Sequence, residues 1–182
     1  MRLRGLGLER GRGVAGAECE ASIAKKKNPK QQRADIEKII NELAELSPIQ
    51  NTAVSPQLQK PWLLLWTTEK EINIFNDWGI SNGNITQIIS QNGDESRLLQ
   101  SNIPFQNGGG LCVEGDLSFA SPDESKEQRT YFEFTSASLD IGKWGRYEAP
   151  PIGKGWFDTV YLDNDLRVDL NSRDDILICA PL

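Results

Sequence analysis

Histidine is absent from the 182 residues. That absence excludes the Ser-His-Asp and Cys-His nucleophile arrangements, the HExxH zinc helix and any proton shuttle through imidazole. Cysteine is scarce: Cys19, Cys112 and Cys179 stand far apart, with no CxxC pair. A zinc ribbon and a disulfide scaffold are thereby excluded, and a reducing compartment is favoured. Long hydrophobic runs are missing as well. None exceeds the five residues of Trp62-Leu63-Leu64-Leu65-Trp66, against the roughly 20 that a membrane-spanning helix needs. What remains, 38% hydrophobic and 25% charged residues, is the make-up of one globular domain with one core.

The net charge of -6 is unevenly spread. Residues 1–30 hold eight Lys and Arg against three Glu, a balance of +5, so the rest of the chain carries -11. An acidic body repels phosphate backbones, so no nucleic-acid role is expected. Residues 1–28 read as a basic, disordered tail, either a transit-peptide remnant or a misassigned start, with residues 29–182 as the folded domain. The tail contains Gly11-Arg12-Gly13-Val14-Ala15-Gly16, a match to GxGxxG. No strand precedes it, so it is a chance match and not a dinucleotide site.

Residues 29–46 predict a helix. Pro29 suits a first turn and Asn28 can cap it, while Ile36, Ile39, Ile40, Leu43 and Ala44 recur at helical spacing. Such a stripe packs against a sheet or lies on a membrane surface beside Lys25, Lys26 and Lys27. Beyond Pro61 the period falls to two. Leu111, Val113, Leu117 and Phe119 alternate with polar residues, as do Phe132 and Phe134, and Leu166, Val168 and Leu170. Each alternation predicts a strand with one wet and one buried face. Further strands are expected at 84–90, 96–103, 156–162 and 176–180, with turns at 91–94, 121–123, 163–165 and 171–172. Many short strands indicate an antiparallel barrel or sandwich. Residues 62–66 are apolar on both faces and need an outer cover, for which the N-terminal helix is the natural candidate. The expected fold is therefore mainly β, an antiparallel barrel with one N-terminal α-helix packed on it.

Two stretches resemble a known family. Ile36-Glu37-Lys38-Ile39-Ile40-Asn41-Glu42-Leu43 and Pro61-Trp62-Leu63-Leu64-Leu65-Trp66-Thr67-Thr68 are similar to the amino-terminal half of the plastid lipid-associated (PAP/fibrillin) proteins. Gly155-Trp156-Phe157-Asp158-Thr159-Val160-Tyr161-Leu162-Asp163-Asn164-Asp165-Leu166-Arg167-Val168 resembles that family's most distinctive signature. The resemblance implies a lipocalin-like barrel in the plastid or chloroplast. It also implies that the barrel binds or organises isoprenoid, quinone, carotenoid or fatty-acid molecules, with peripheral association at plastoglobules or thylakoids. The family has Gly before the first Trp where this chain has Pro61, so that strand is expected to start one residue later or to lie at an edge.

Barrel-lining candidates for an apolar ligand are Trp62, Leu64, Trp66, Leu111, Val113, Leu117, Phe119, Phe132 and Phe134. Structural roles are expected for the signature residues Trp156, Asp158, Tyr161, Asp163, Asp165 and Arg167, with Arg167 pairing with a carboxylate on the wet face. Asp163 and Asp165 lack the Gly and Glu of an EF-hand. No catalytic residue, metal or cofactor is therefore expected. The alternatives are a structural coat on plastid lipid bodies or photosynthetic complexes and, from another class, an enzyme using Asp158 or Glu133 as acid or base.

Overall fold

The computed structural model describes residues 29–92, 96–119, 129–150 and 153–182. The expected tail, with its glycine motif and Cys19, lies outside them, as do the turn at 121–123 and half of that at 91–94. The chain divides into two compact units, Met1–Glu42 and Leu43–Leu182.

The described part of the first unit is helix α1, Pro29–Glu45, whose last three residues belong to the second. Ile40 is buried and Ile36, Leu43 and Ala44 are half-buried, whereas Ile39 is 61% exposed and falls off the stripe. An Arg33–Glu37 ion pair of 2.7 Å supports the helix at i,i+4 spacing.

The second unit is mainly β. Its strands are β1 (Pro61–Thr67), β2 (Thr86–Asn92), β3 (Ser96–Pro104), β4 (Gly110–Phe119), β5 (Arg129–Asp140), β6 (Arg146–Ala149), β7 (Lys154–Leu162), β8 (Arg167–Asn171) and β9 (Ile176–Pro181). They run in the order β4-β3-β2-β1-β9-β8-β7-β5, and β4 pairs with β5 to close the ring. Every pairing is antiparallel. Strand β5 is shared: its first residues pair with β7, and its last four pair with β6, which hangs off the ring. Eight strands in a closed ring is the size that either fills with side chains or holds one small ligand.

Three register shifts shape the wall. Leu64 pairs with Cys179 and Trp66 with Ile178, leaving Leu65 as an extra residue that is 56% exposed. In β5, Thr135 is extra, since Gly115 pairs with Phe134 and Glu114 with Ser136. In β7, Val160 is extra between Thr159 and Tyr161. A bulge flips the faces of all residues beyond it, so strict alternation read along the sequence fails at these points.

One end of the barrel is sealed. Leu58, in a 3-10 turn over Pro56–Leu58, packs with Trp62 and Leu162, and all three are fully buried. The Trp62 indole N–H donates to the Leu58 carbonyl at 2.9 Å. Arg97 donates from Nη1 to the Ala53 carbonyl at 2.8 Å and from Nη2 to that of Val54 at 2.6 Å, tying the preceding loop down.

Three expectations are corrected. Pro61 is itself the first residue of β1, and β1 is an interior strand between β2 and β9. A first position tolerates proline because the ladder starts after its missing N–H, and its carbonyl still accepts from Leu182 N at 3.1 Å. Strand β8 has no wet face: Arg167, Val168, Asp169 and Asn171 are all buried. A second helix, α2 (Lys70–Asp77), follows β1 at the barrel end opposite Trp62. Its Ile72 and Phe75 pack on the core, and Phe75 stacks on Phe105 with centroids 6.0 Å apart. Eight residues with two asparagines carry too few apolar repeats to announce a helix.

Candidate functional site

The ring encloses a cavity of about 520 Å³, within the range of small-molecule sites. Its apolar wall comes from Ile85, Leu99, Ile103, Val113, Phe132, Phe134, Phe157 and Leu177, with Ile72 contributed by α2. The polar lining side chains are Gln87, Ser101, Arg167, Asp169 and Asn171, then Lys154, Ser172 and Arg173, with Glu69 and Glu71 at the start of α2. Arg167 lies at the sealed end, its guanidinium carbon 5.4 Å from the centre of the Trp62 ring and 5.9 Å from that of Phe157.

The Arg167 group is a buried network. Nε donates to Asp169 Oδ2 at 2.8 Å, Nη2 lies 2.7 Å from the same oxygen, and Nη2 also donates to Gln87 Oε1. Asp169 Oδ1 accepts from Thr159 Oγ1 at 2.7 Å. The two charged side chains are 1% and 2% exposed. Burial is the largest influence and pulls the guanidinium pKa down, but the opposing influences, led by the charge of Asp169, leave it above its ordinary value. Nη1 has no hydrogen-bond partner among the described residues. The carboxylate pairing expected for Arg167 is present, but it faces the cavity and not solvent.

At the α2 end, Glu69 accepts from Asn171 Nδ2 at 2.8 Å and lies 3.8 Å from Arg173. Burial raises its pKa, opposed by the charge of Arg173. At the rim, the hydrogen bond from its own backbone N–H and then that from Arg173 Nη1 hold Glu71 below the ordinary carboxylate range. The sealed interior pushes the Cys179 thiol up to about 11.

Of the nine lining candidates, Val113, Phe132 and Phe134 face the cavity. Trp62, Leu64 and Leu117 sit in the buried core around it, and Leu111 packs half-buried against that core. Phe119 lies beneath the Arg97 guanidinium, 5.0 Å from ring centre to carbon. The bulge at Leu65 sets Trp66 opposite Ile178, while Thr67 takes the position facing the cavity-lining Leu177. Ile85, Leu99 and Ile103 escaped notice although their strands were anticipated; extending the period-two pattern through 84–90 and 96–103 would have found them. Gln87, Asp169 and Asn171 left no signal, because alternation assigns polar residues to the outside.

The signature residues brace the wall. Arg129 makes a two-pronged pair with Asp158, at 2.7 and 2.6 Å, and stacks 3.4 Å over the Trp156 ring, joining β5 to β7. Asp163 Oδ1 accepts from the backbone N–H of Asp165 and Leu166 at 2.8 and 2.7 Å, closing the β7–β8 turn, and Tyr161 donates to its other oxygen at 2.6 Å. The tyrosine bond leads in holding Asp163 below the ordinary carboxylate range. Asp158 and Glu133 do not line the cavity; the carboxyl groups that do are Glu69, Glu71 and Asp169.

Comparison with known proteins finds one family. The PAP_fibrillin family model matches residues 21–144, from ahead of α1 to the turn after β5. A relative from Arabidopsis thaliana, "Probable plastid-lipid-associated protein 11, chloroplastic", is 34% identical over 168 residues, covering 89% of this chain and 73% of its own length. No solved structure matches. A closed eight-stranded barrel in a chain matched over two thirds of its length leaves one assignment: the protein belongs to the PAP/fibrillin family of plastid lipid-associated proteins.

Proposed function

We propose that the protein is a non-enzymatic plastid lipid binder that holds an isoprenoid or other hydrophobic small molecule inside its barrel. The observation that carries this reading is the enclosed, largely apolar cavity of about 520 Å³ in a member of a family named for lipid association. The physical terms are adequate. Burying about ten methylenes contributes roughly 8 kcal/mol at about 0.8 each, and association costs of about 4 kcal/mol or more leave modest affinity. Plastid residence follows from the chloroplastic relative.

The cavity carboxyls do not favour an acid–base role. Asp169 is fully engaged by Arg167 and Thr159, and Glu69 is held by Asn171. A surface role on plastoglobules or thylakoids has its own support. Trp78, just after α2, and Trp144, in the turn between β5 and β6, are 74% and 70% exposed, both at the barrel end away from Trp62. Exposed Trp side chains favour the bilayer interface, so the cavity's rim is the part of the molecule that would meet a lipid surface.

Incubating the full chain with a plastid lipid extract, re-purifying it and recording a native mass spectrum tests the binding reading. A stoichiometric apolar adduct is expected; a folded protein that recovers no lipid overturns it. Trp78→Ala with Trp144→Ala separates the surface role, since flotation with galactolipid vesicles should fall while cavity occupancy persists.

A further inference from the structure

Half of the ten large hydrophobic side chains that stand exposed among the described residues fall in two short segments. Ile74 and Trp78 lie in and just after α2, and Ile141, Trp144 and Tyr147 surround the turn between β5 and β6. Both segments are at the cavity's mouth, the barrel end away from Trp62. Exposed apolar side chains gathered in one place mark a docking surface.

Charge decides what docks there. The two segments hold Lys70, Lys143 and Arg146 against Glu71, Asp77 and Glu148. The adjoining turn and strand ends add Lys154 and Arg173 against Glu69, Asp140, Asp174 and Asp175, so carboxylates outnumber cations seven to five. An anionic lipid surface is recognised by clusters of about four to eight Lys and Arg, and this end has an excess of acid instead. Tryptophan favours the layer between hydrocarbon and head groups. The surface that fits is therefore a lipid layer with uncharged head groups.

Helix α2 connects that surface to the cavity. Its Ile72 lines the cavity while Ile74 and Trp78 are exposed. No residue of α2 is fully buried. Its start is tied to the β8–β9 turn by Glu69, which accepts from Asn171 at 2.8 Å, and by the Glu71–Arg173 pair. Both members of that pair are more than half exposed, and such pairs add little stability. The element that meets the lipid is thus a lightly held part of the cavity wall.

We propose that the α2 end docks on an uncharged lipid layer and that the apolar ligand passes directly from that layer into the barrel, with α2 moving aside as its exposed side chains enter the lipid. The inference rests on the lipid-binding reading above and adds the route by which the cavity fills. A ligand travelling through water would be slowed roughly fourfold for each methylene exposed on the way; passage on contact avoids that barrier.

Transfer of retinol from digalactosyldiacylglycerol vesicles to the full chain tests this. The vesicles carry a head-group-labelled lipid that quenches retinol, so its fluorescence recovers as it leaves. On direct passage the transfer rate rises in proportion to protein concentration; through water it levels off at the rate at which retinol escapes the vesicle. Trp78→Ala with Trp144→Ala should slow transfer about tenfold or more, through the apolar area that two indole rings withdraw from water, and leave the final amount transferred unchanged. Vesicles in which phosphatidylglycerol replaces part of the galactolipid should transfer no faster. A rate that levels off with protein concentration, or one that the double substitution leaves unchanged, overturns direct passage while leaving lipid binding intact. Faster transfer from the phosphatidylglycerol vesicles also overturns it, and would assign docking to basic residues such as those of 1–30. A folded protein that takes up no retinol from either vesicle overturns the lipid-binding reading itself.

Discussion

Replacing Asp169 by Asn tests the energetics of the barrel floor. The carboxylate accepts from Arg167 Nε at 2.8 Å and Thr159 Oγ1 at 2.7 Å, with Arg167 Nη2 also at 2.7 Å, in a place where both charges are 2% exposed or less. The amide keeps the shape but removes the charge, leaving the guanidinium buried without a counter-ion and turning an N–H toward one of three donors. Breaking a buried pair from one side costs about 3–5 kcal/mol, about a fifth or more of the roughly 5–15 kcal/mol that holds a domain together. At an m-value of about 2 kcal/mol per molar urea, the unfolding midpoint should fall by about 1.5–2.5 M with m unchanged. The double variant Arg167→Met, Asp169→Leu removes both charges. It leaves Gln87 and Thr159 unsatisfied at about 1–3 kcal/mol each, but avoids a desolvation burden worth about 1–4 kcal/mol. It should therefore be more stable than Asp169→Asn alone. A single-variant loss below about 1 kcal/mol, or a double variant less stable than the single, refutes the account of the floor as a tightly coupled buried ion pair.

Other outcomes follow from the same geometry. Glu69 has a raised folded-state pKa through burial, so its contribution to stability is present below its unfolded value near 4.5 and is lost as pH rises through the folded value. Glu69→Gln, which can still accept from Asn171, should gain stability over the wild type at pH 7 and lose that advantage at pH 4; urea midpoints that show no gain at pH 7 would contradict this. With its thiol pushed up to about 11, Cys179 should have roughly 300-fold less thiolate at pH 7.5 than an ordinary cysteine. Peptide mapping after maleimide treatment should find it unmodified in the native protein and labelled in urea. A Cβ on Gly115 would lie 2.7 Å from the Glu133 carbonyl oxygen and 3.0 Å from the Phe134 ring. Gly115→Ala should then cost about 1–3 kcal/mol and lower Tm by roughly 2–12 °C; an unchanged Tm in a scanning calorimeter would show that the bulge opposite can relax.

Much of this protein was legible in its residues because burial writes itself into period. Alternation in β4 and the first half of β5, the turn chemistry at Asp163 and the helical stripe from Ile36 are local consequences of side chains choosing between water and a core, and they sufficed for a mainly β domain with an N-terminal helix. The family likewise lay in short runs of residues around Trp62 and Trp156. Local patterns could not say where the count slips. Leu65, Thr135 and Val160 are extra residues only relative to the strands that pair with them, so the outward turn of Trp66 exists only once β9 is alongside. Nor could they say that Arg167, Asp169 and Asn171 point inward. In one dimension a charged residue alternating with leucine reads as solvated. Closing the ring instead brings Arg167 and Asp169 together over Trp62, where each makes the other's burial tolerable, and tertiary structure alone decided that the barrel's interior would have a polar floor.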